Sequence, residues 1–185
     1  MLKIFLPLLL ICALVACVVS GIQVLTKDQI AKNEAMVEQQ KEEQKLAAIA
    51  EIYGEGVQFA KLESLPEDID EIRTATDADG KKLAAITLTV KGYSDGLQVF
   101  VAYGAEGEVR RVMVLASNET TGIGSKVSNS EYLKGYEDQS GVIEFGEKID
   151  KIAGATISSK AVLGAVNTAT ETLLELGLIE EGGNN

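Results

Sequence analysis

Residues 84–116 read AAITLTVKGYSDGLQVFVAYGAEGEVRRVMVLA, and this stretch decides the fold. Over 84–90, Thr87 and Thr89 alternate with Ile86, Leu88 and Val90, the period-two pattern of a half-buried strand. Ser94-Asp95-Gly96 has turn chemistry, and 97–103 is a second strand. Gly104 to Gly107 reads as a hairpin turn, and 109–116 as a third strand. Three strands joined by tight turns predict an antiparallel meander.

Working outward, the upstream turn Asp77-Ala78-Asp79-Gly80 follows a strand predicted over 70–76. Before it lie the turn Leu65-Pro66-Glu67-Asp68 and a weakly alternating stretch over 57–62. Downstream, 118–126 is a Gly/Thr loop, 129–136 a short helix and 142–145 a short apolar stretch. Residues 158–176 are an amphipathic helix. Val162, Val166, Ala169 and Leu173 form its apolar stripe, with Leu163 and Leu174 beside it. Gly177 suits its C-cap. The fold class is α+β: an antiparallel sheet with a C-terminal amphipathic helix.

The N-terminus is of another kind. Residues 4–19 are unbroken apolar sequence, and Ile22, Val24 and Leu25 extend the run between Lys3 and Lys27. About 20 apolar residues span a bilayer core, so this is a single transmembrane helix. A cleaved signal peptide would have a shorter apolar core. Leu14-Val15-Ala16-Cys17 also looks like a bacterial lipidation motif, but apolar residues continue past Cys17. The organisation expected is a transmembrane anchor over 1–26, a helical stalk over 27–52, a globular domain over 53–178 and a flexible tail over 179–185. The stalk is rich in Gln, Glu, Lys and Ala, wholly polar from 38 to 45, and docks on the domain at its end.

Composition removes several function classes. The 185 residues carry a formal charge of −11, which repels nucleic acid. The chain has no histidine, the commonest general base and metal ligand. Its two cysteines, Cys12 and Cys17, both lie in the apolar segment. The globular part therefore has no disulfide framework and no cysteine-ligated metal. No catalytic residue and no metal site is expected.

Two short segments carry chemistry. In Asp150-Lys151-Ile152-Ala153-Gly154-Ala155-Thr156-Ile157-Ser158-Ser159, Gly154 and Ala155 let another group approach the backbone. Thr156, Ser158 and Ser159 place hydroxyls at a helix start, where free N–H groups and the helix dipole favour a phosphate. The plainer reading is a Ser/Thr N-cap. In Asn118-Glu119-Thr120-Thr121-Gly122-Ile123-Gly124-Ser125-Lys126, two glycines flank Ile123 and present it from a tight loop that suits a flat aromatic ligand. The plainer reading is a connector that needs glycine for positive φ.

Together the two segments resemble a known pair of motifs. The stretch over 118–126 is similar to E-T-P-G-L-G, and 150–156 to the flavinylation motif D-G-x-(S/T)-G-A-T. Both belong to the FMN-binding domain shared by the G subunit of Rnf complexes and the C subunit of Na⁺-translocating NADH:quinone reductase. The anchor, its exit at Leu25-Thr26-Lys27-Asp28-Gln29-Ile30 and the Lys91-Gly92-Tyr93 turn look like the Rnf protein. Thr121 replaces the usual Pro, Ile123 the usual Leu, Lys151 a frequent Gly and Ala153 a Ser or Thr.

The resemblance implies covalent FMN, joined through its phosphate to Thr156 by a flavin transferase. Glu119, Thr120, Gly122, Ile123 and Gly124 would line the isoalloxazine. Gly154, Ala155, Ser158 and Ser159 would lie about the phosphate. The protein would carry electrons in a membrane-bound, ion-translocating ferredoxin:NAD oxidoreductase. It would pack with other membrane subunits, with its domain on the extracytoplasmic side of the cell membrane, and would not be catalytic alone. Rival readings are a stand-alone extracytoplasmic flavin shuttle and a cofactor-free tethered scaffold.

Overall fold

The computed structural model describes residues 2–54, 56–146 and 148–180, with side chains from residue 9 onward except that of residue 24. Of the predicted tail over 179–185, residues 181–185 lie outside that description, as does the Lys3 side chain. The chain divides into two compact units, Met1–Glu43 and Gln44–Asn185.

Helix α1 covers Leu2–Tyr53. In the first unit its described apolar side chains, such as Leu9, Leu14, Val19 and Ile22, are exposed. It is long and apolar enough to be a candidate membrane span. Exposed Leu, Ile and Val suit a helix that faces lipid.

The second unit is a five-stranded antiparallel sheet in the order β1-β2-β3-β4-β5. The strands are β1 (Ala60–Lys61), β2 (Ile69–Thr76), β3 (Lys82–Val90), β4 (Leu97–Tyr103) and β5 (Val109–Ala116). The predicted meander is present, and β4 and β5 end where their patterns end. The stretch over 57–62 contributes only the two residues of β1. It pairs with Thr74 and Arg73 at the sheet margin, where nothing demands a longer ladder. After β5 come a 3-10 turn (Gly124–Ser128), the short helix α2 (Ser130–Leu133), a second 3-10 turn (Lys134–Tyr136) and the long helix α3 (Thr156–Glu175).

Cross-strand register sorts side chains onto two faces. Ile86 opposes Val101, Leu88 opposes Val99 and Ala84 opposes Tyr103, all on one face. That face packs on Val162, Ala165, Val166, Ala169 and Leu173 of α3. The buried Tyr103 hydroxyl lies 2.9 Å from Thr170 Oγ1 and donates to the Val166 carbonyl (3.1 Å). Asn167 braces the 140s segment to α3: its amide donates to Ile143 O, and Ile143 N–H donates to its Oδ1, each at 2.9 Å.

The opposite face carries Ala85, Phe100 and Ala102, covered by Ala48 and Ile49 of α1. The compact unit therefore begins at Gln44, earlier than the expected boundary at 53, because these side chains complete its second core. The C-terminal boundary also moves. Ile179, placed in a flexible tail by its polar neighbours, is buried against the α3 core. A Schellman motif turns the chain there: Gly177 (φ +62°) lets its N–H reach Leu174 O and Leu178 N–H reach Leu173 O.

Candidate functional site

The site is assembled from three loops at the ends of elements: 92–94 after β3, 118–126 after β5, and the start of α3. Helix α3 begins at Thr156, two residues before the predicted start at Ser158. Its N-cap is Ala155, and no side chain caps it. The plainer reading of the hydroxyls as a Ser/Thr cap is thereby removed. The helix start keeps donors that an external oxygen can engage.

The three hydroxyls have different environments. Thr156 is exposed. Ser158 and Ser159 are 2% and 0% exposed. The Ser158 hydroxyl donates to Glu119 Oε2 at 2.6 Å, and Ser159 Oγ accepts from Ile152 N–H at 3.1 Å. Residues two apart on a helix point some 200° apart, so Ser158 turns inward as Thr156 turns out. Ser158 and Ser159 thus spend their polar atoms on the protein itself.

The 118–126 loop is wound tightly. Thr120 O accepts from Ile123 N–H (3.1 Å) and Ser125 N–H (3.2 Å), and Gly122 N–H donates to Ser125 Oγ (2.8 Å). Gly122 holds φ +78°, a region closed to most side chains. Ile123 stands half exposed at the crest, and Thr120 and Gly122 are exposed beside it. Gly154 also adopts positive φ, and a Cβ there would sit 3.9 Å from Ile123 Cγ2. Gly124 is buried, and a Cβ there would sit 3.1 Å from Ser158 Oγ. The two motif segments are therefore in contact.

Glu119 lies behind this surface, 7% exposed. Besides Ser158, it accepts the Ser94 N–H at Oε1 (3.1 Å). Sequence reasoning missed Gly92 and Ser94 as members of the site. The available signal was a glycine two residues past the end of a strand, but nothing local ties it to Glu119. At this surface Ile123, Thr120 and Gly122 are exposed. A cleft of about 680 Å³ elsewhere in the unit is lined by Ala47, Ala48, Arg111, Met113, Ser130 and Lys134 among others, and by no motif residue.

An uncapped helix start with one exposed hydroxyl, beside a glycine-flanked apolar crest, suits a phosphorylated flat ring held at a surface. The class follows from the match of residues 92–171 to the FMN-binding domain family, which spans all three loops and most of α3. The chain is 30% identical over 182 residues to the G subunit of the ion-translocating oxidoreductase complex of Haemophilus influenzae (strain PittEE), covering 89% of this chain and 84% of that protein. With the corresponding G subunit of Pasteurella multocida (strain Pm70) the identity is 29%, covering 91% of each. With that of Shewanella loihica it is 30%, covering 60% of this chain and 57% of that protein. The crystal structure of Shewanella oneidensis NqrC overlaps 54% of each chain at a TM-score of 0.43 and 20% identity. This chain belongs to the family of G subunits of ion-translocating oxidoreductase complexes.

Proposed function

We propose that the chain carries FMN as a phosphoester of Thr156 and passes electrons within a membrane-bound, ion-translocating ferredoxin:NAD oxidoreductase. The observation that carries this reading is the contrast among the three hydroxyls. Thr156 alone is exposed, at an uncapped helix start, whereas Ser158 and Ser159 are buried and bonded. Ester formation needs an accessible oxygen and a place for the phosphate charge. Both meet at Thr156.

The exposure of the Ile123 crest supports a covalent link. Ligand pockets ordinarily bury about 70–90% of a small ligand, and an exposed crest such as Ile123 cannot. A bond to Thr156 makes retention independent of that weak grip. The bond forms between Thr156 Oγ1 and the flavin's phosphorus, with loss of the hydroxyl proton. The donor is a flavin whose phosphate is activated as an anhydride. The anhydride bond breaks, and its other phosphate leaves with the electron pair. The ester keeps one negative charge facing the helix N-terminus. The flavin supplies the electron chemistry, and the protein supplies position and electrostatics.

On this reading Ile123 and Gly122 lie against the ring, and Gly154 and Ala155 beside the phosphate. Residues 1–26 stay attached as an anchor beside the other membrane subunits, the domain faces the extracytoplasmic side, and a flavin transferase loads it. Thr156→Val keeps the shape and removes the oxygen. Coexpressed with a flavin transferase, that variant should fold yet give no in-gel flavin fluorescence, whereas Ser158→Ala should remain fluorescent. A fluorescent Thr156→Val overturns the assignment. Intact mass should show the full N-terminus, and protease added to spheroplasts should digest the domain.

A further inference from the structure

The geometry points to Glu119 as a positioning residue that fixes the direction of Thr156, a role that rests on Thr156 being the acceptor. One carboxylate joins three segments far apart in sequence. Its Oε1 accepts from Ser94 N–H at 3.1 Å, and its Oε2 from Ser158 Oγ–H at 2.6 Å. The surroundings are shaped to it. A Cβ on Gly92 would overlap Oε1, and a Cβ on Gly124 would overlap Oε2. Two of the three loops are thus free of side chains where the carboxylate passes.

The consequence follows from helix geometry. Ser158 is two residues after Thr156, on the opposite side of the first turn of α3. Tethering Ser158 inward sets the rotation of that turn about its axis, and so aims Thr156 outward. Ser159 reinforces the hold by accepting from Ile152 N–H. Glu119 itself is 7% exposed and sits behind the crest of Ile123. It therefore acts through Ser158 and the loop, not by lining the ring.

The test is the initial rate of covalent flavin incorporation into the full chain. The reaction uses a purified flavin transferase with flavin adenine dinucleotide as the anhydride donor, read by in-gel fluorescence. Glu119→Ala should cut kcat for loading about tenfold or more, with KM for the acceptor chain unchanged. Glu119→Gln should recover most of that rate, because an amide can accept from Ser94 N–H and donate to Ser158 Oγ. Ser158→Ala removes one arm of the bracket and should slow loading several-fold while still reaching full loading. Loading of Glu119→Ala at the unaltered rate would overturn the role, and so would a Gln variant as slow as Ala. Should Glu119→Ala fail to fold by circular dichroism, an unslowed Ser158→Ala overturns it instead. A dark unaltered chain, or a fluorescent Thr156→Val, sinks the acceptor assignment rather than the bracket.

Discussion

Under α3, the sheet is sealed by aliphatic side chains; under residues 44–53, the opposite face combines a smaller apolar cluster with ion pairs. On the first face Ile86, Leu88, Val99 and Val101 meet Val162, Val166 and Leu173 with almost no polar atoms between them. On the second, Ala48 and Ile49 meet Ala85, Phe100 and Ala102, and an ion cluster accompanies them. Lys45 reaches Glu71 Oε2 at 2.5 Å, Lys61 reaches its Oε1 at 3.2 Å, and Arg73 bonds the same Oε1. Arg111 adds pairs to Glu51 (3.0 Å) and Glu137 (3.2 Å). Apolar burial is strong but non-directional, whereas a paired charge fixes orientation at a desolvation cost. The first face anchors the helix that presents Thr156. The second fixes how the end of α1 lies on the sheet.

The largest effect expected is on the aliphatic face. Leu173 is fully buried in the middle of that core. Leu173→Ala should destabilise the domain by about 3–4 kcal/mol, read as a lower denaturant midpoint with an unchanged slope. A loss below about 1 kcal/mol would mean that this face is not the main source of stability.

A smaller loss is expected from the ionic face. Lys45 is 4% exposed. Lys45→Ala should cost about 1–2 kcal/mol, less than a fully broken buried pair, because Arg73 still holds Glu71. The same face predicts a pH dependence. Burial is the largest influence on Glu71 and raises its carboxyl, but the hydrogen bonds and charges of Arg73 and Lys45 outweigh it and hold it at about 2, below the usual 4.5. A depressed carboxyl stabilises the fold fully above 4.5 and loses that contribution as pH falls from 4.5 through about 2. Glu71→Gln should flatten the difference in stability across that window. Equal slopes in both proteins would place the acid sensitivity elsewhere.

The smallest effect concerns a polar stitch within the aliphatic face. Tyr103→Phe deletes the hydroxyl shared with Thr170 and Val166. A net cost of about 1 kcal/mol is expected, since both partners keep other bonds available. Thr170 Oγ1 indeed also donates to Val166 O at 3.0 Å. A cost as large as that of Leu173→Ala would show that this face depends on hydrogen bonding more than its composition implies.

Strands β4 and β5 were legible to the residue because alternation, turn glycines and length agree over 84–116. The stripe of α3 was legible for the same reason. The start of α3 was misplaced by two residues, because Thr156 and Ile157 are both exposed and belong to no apolar stripe. Ile179 was misassigned because its polar neighbours hide the Gly177 turn that folds it back onto the core. The ion cluster was invisible, since Lys45, Lys61, Glu71 and Arg73 read one by one as solvated charges.

The site divides along the same line. Read singly, each motif segment suits a phosphate or a flat ring and equally a plain cap or connector; it is their joint resemblance to the family's pair of motifs that implies FMN. Their discrimination does not come from the chain alone. Thr156, Ser158 and Ser159 are chemically alike in a row of letters. Only the packing of α3 against the sheet turns one of them outward and two of them in. Likewise, Glu119 is one acid among many in a chain of charge −11 until folding carries Ser94 and Ser158 to within hydrogen-bond distance of it. Local pattern fixes what each segment can form. Contacts between residues distant in sequence depend on the whole core, and they select the hydroxyl that remains exposed.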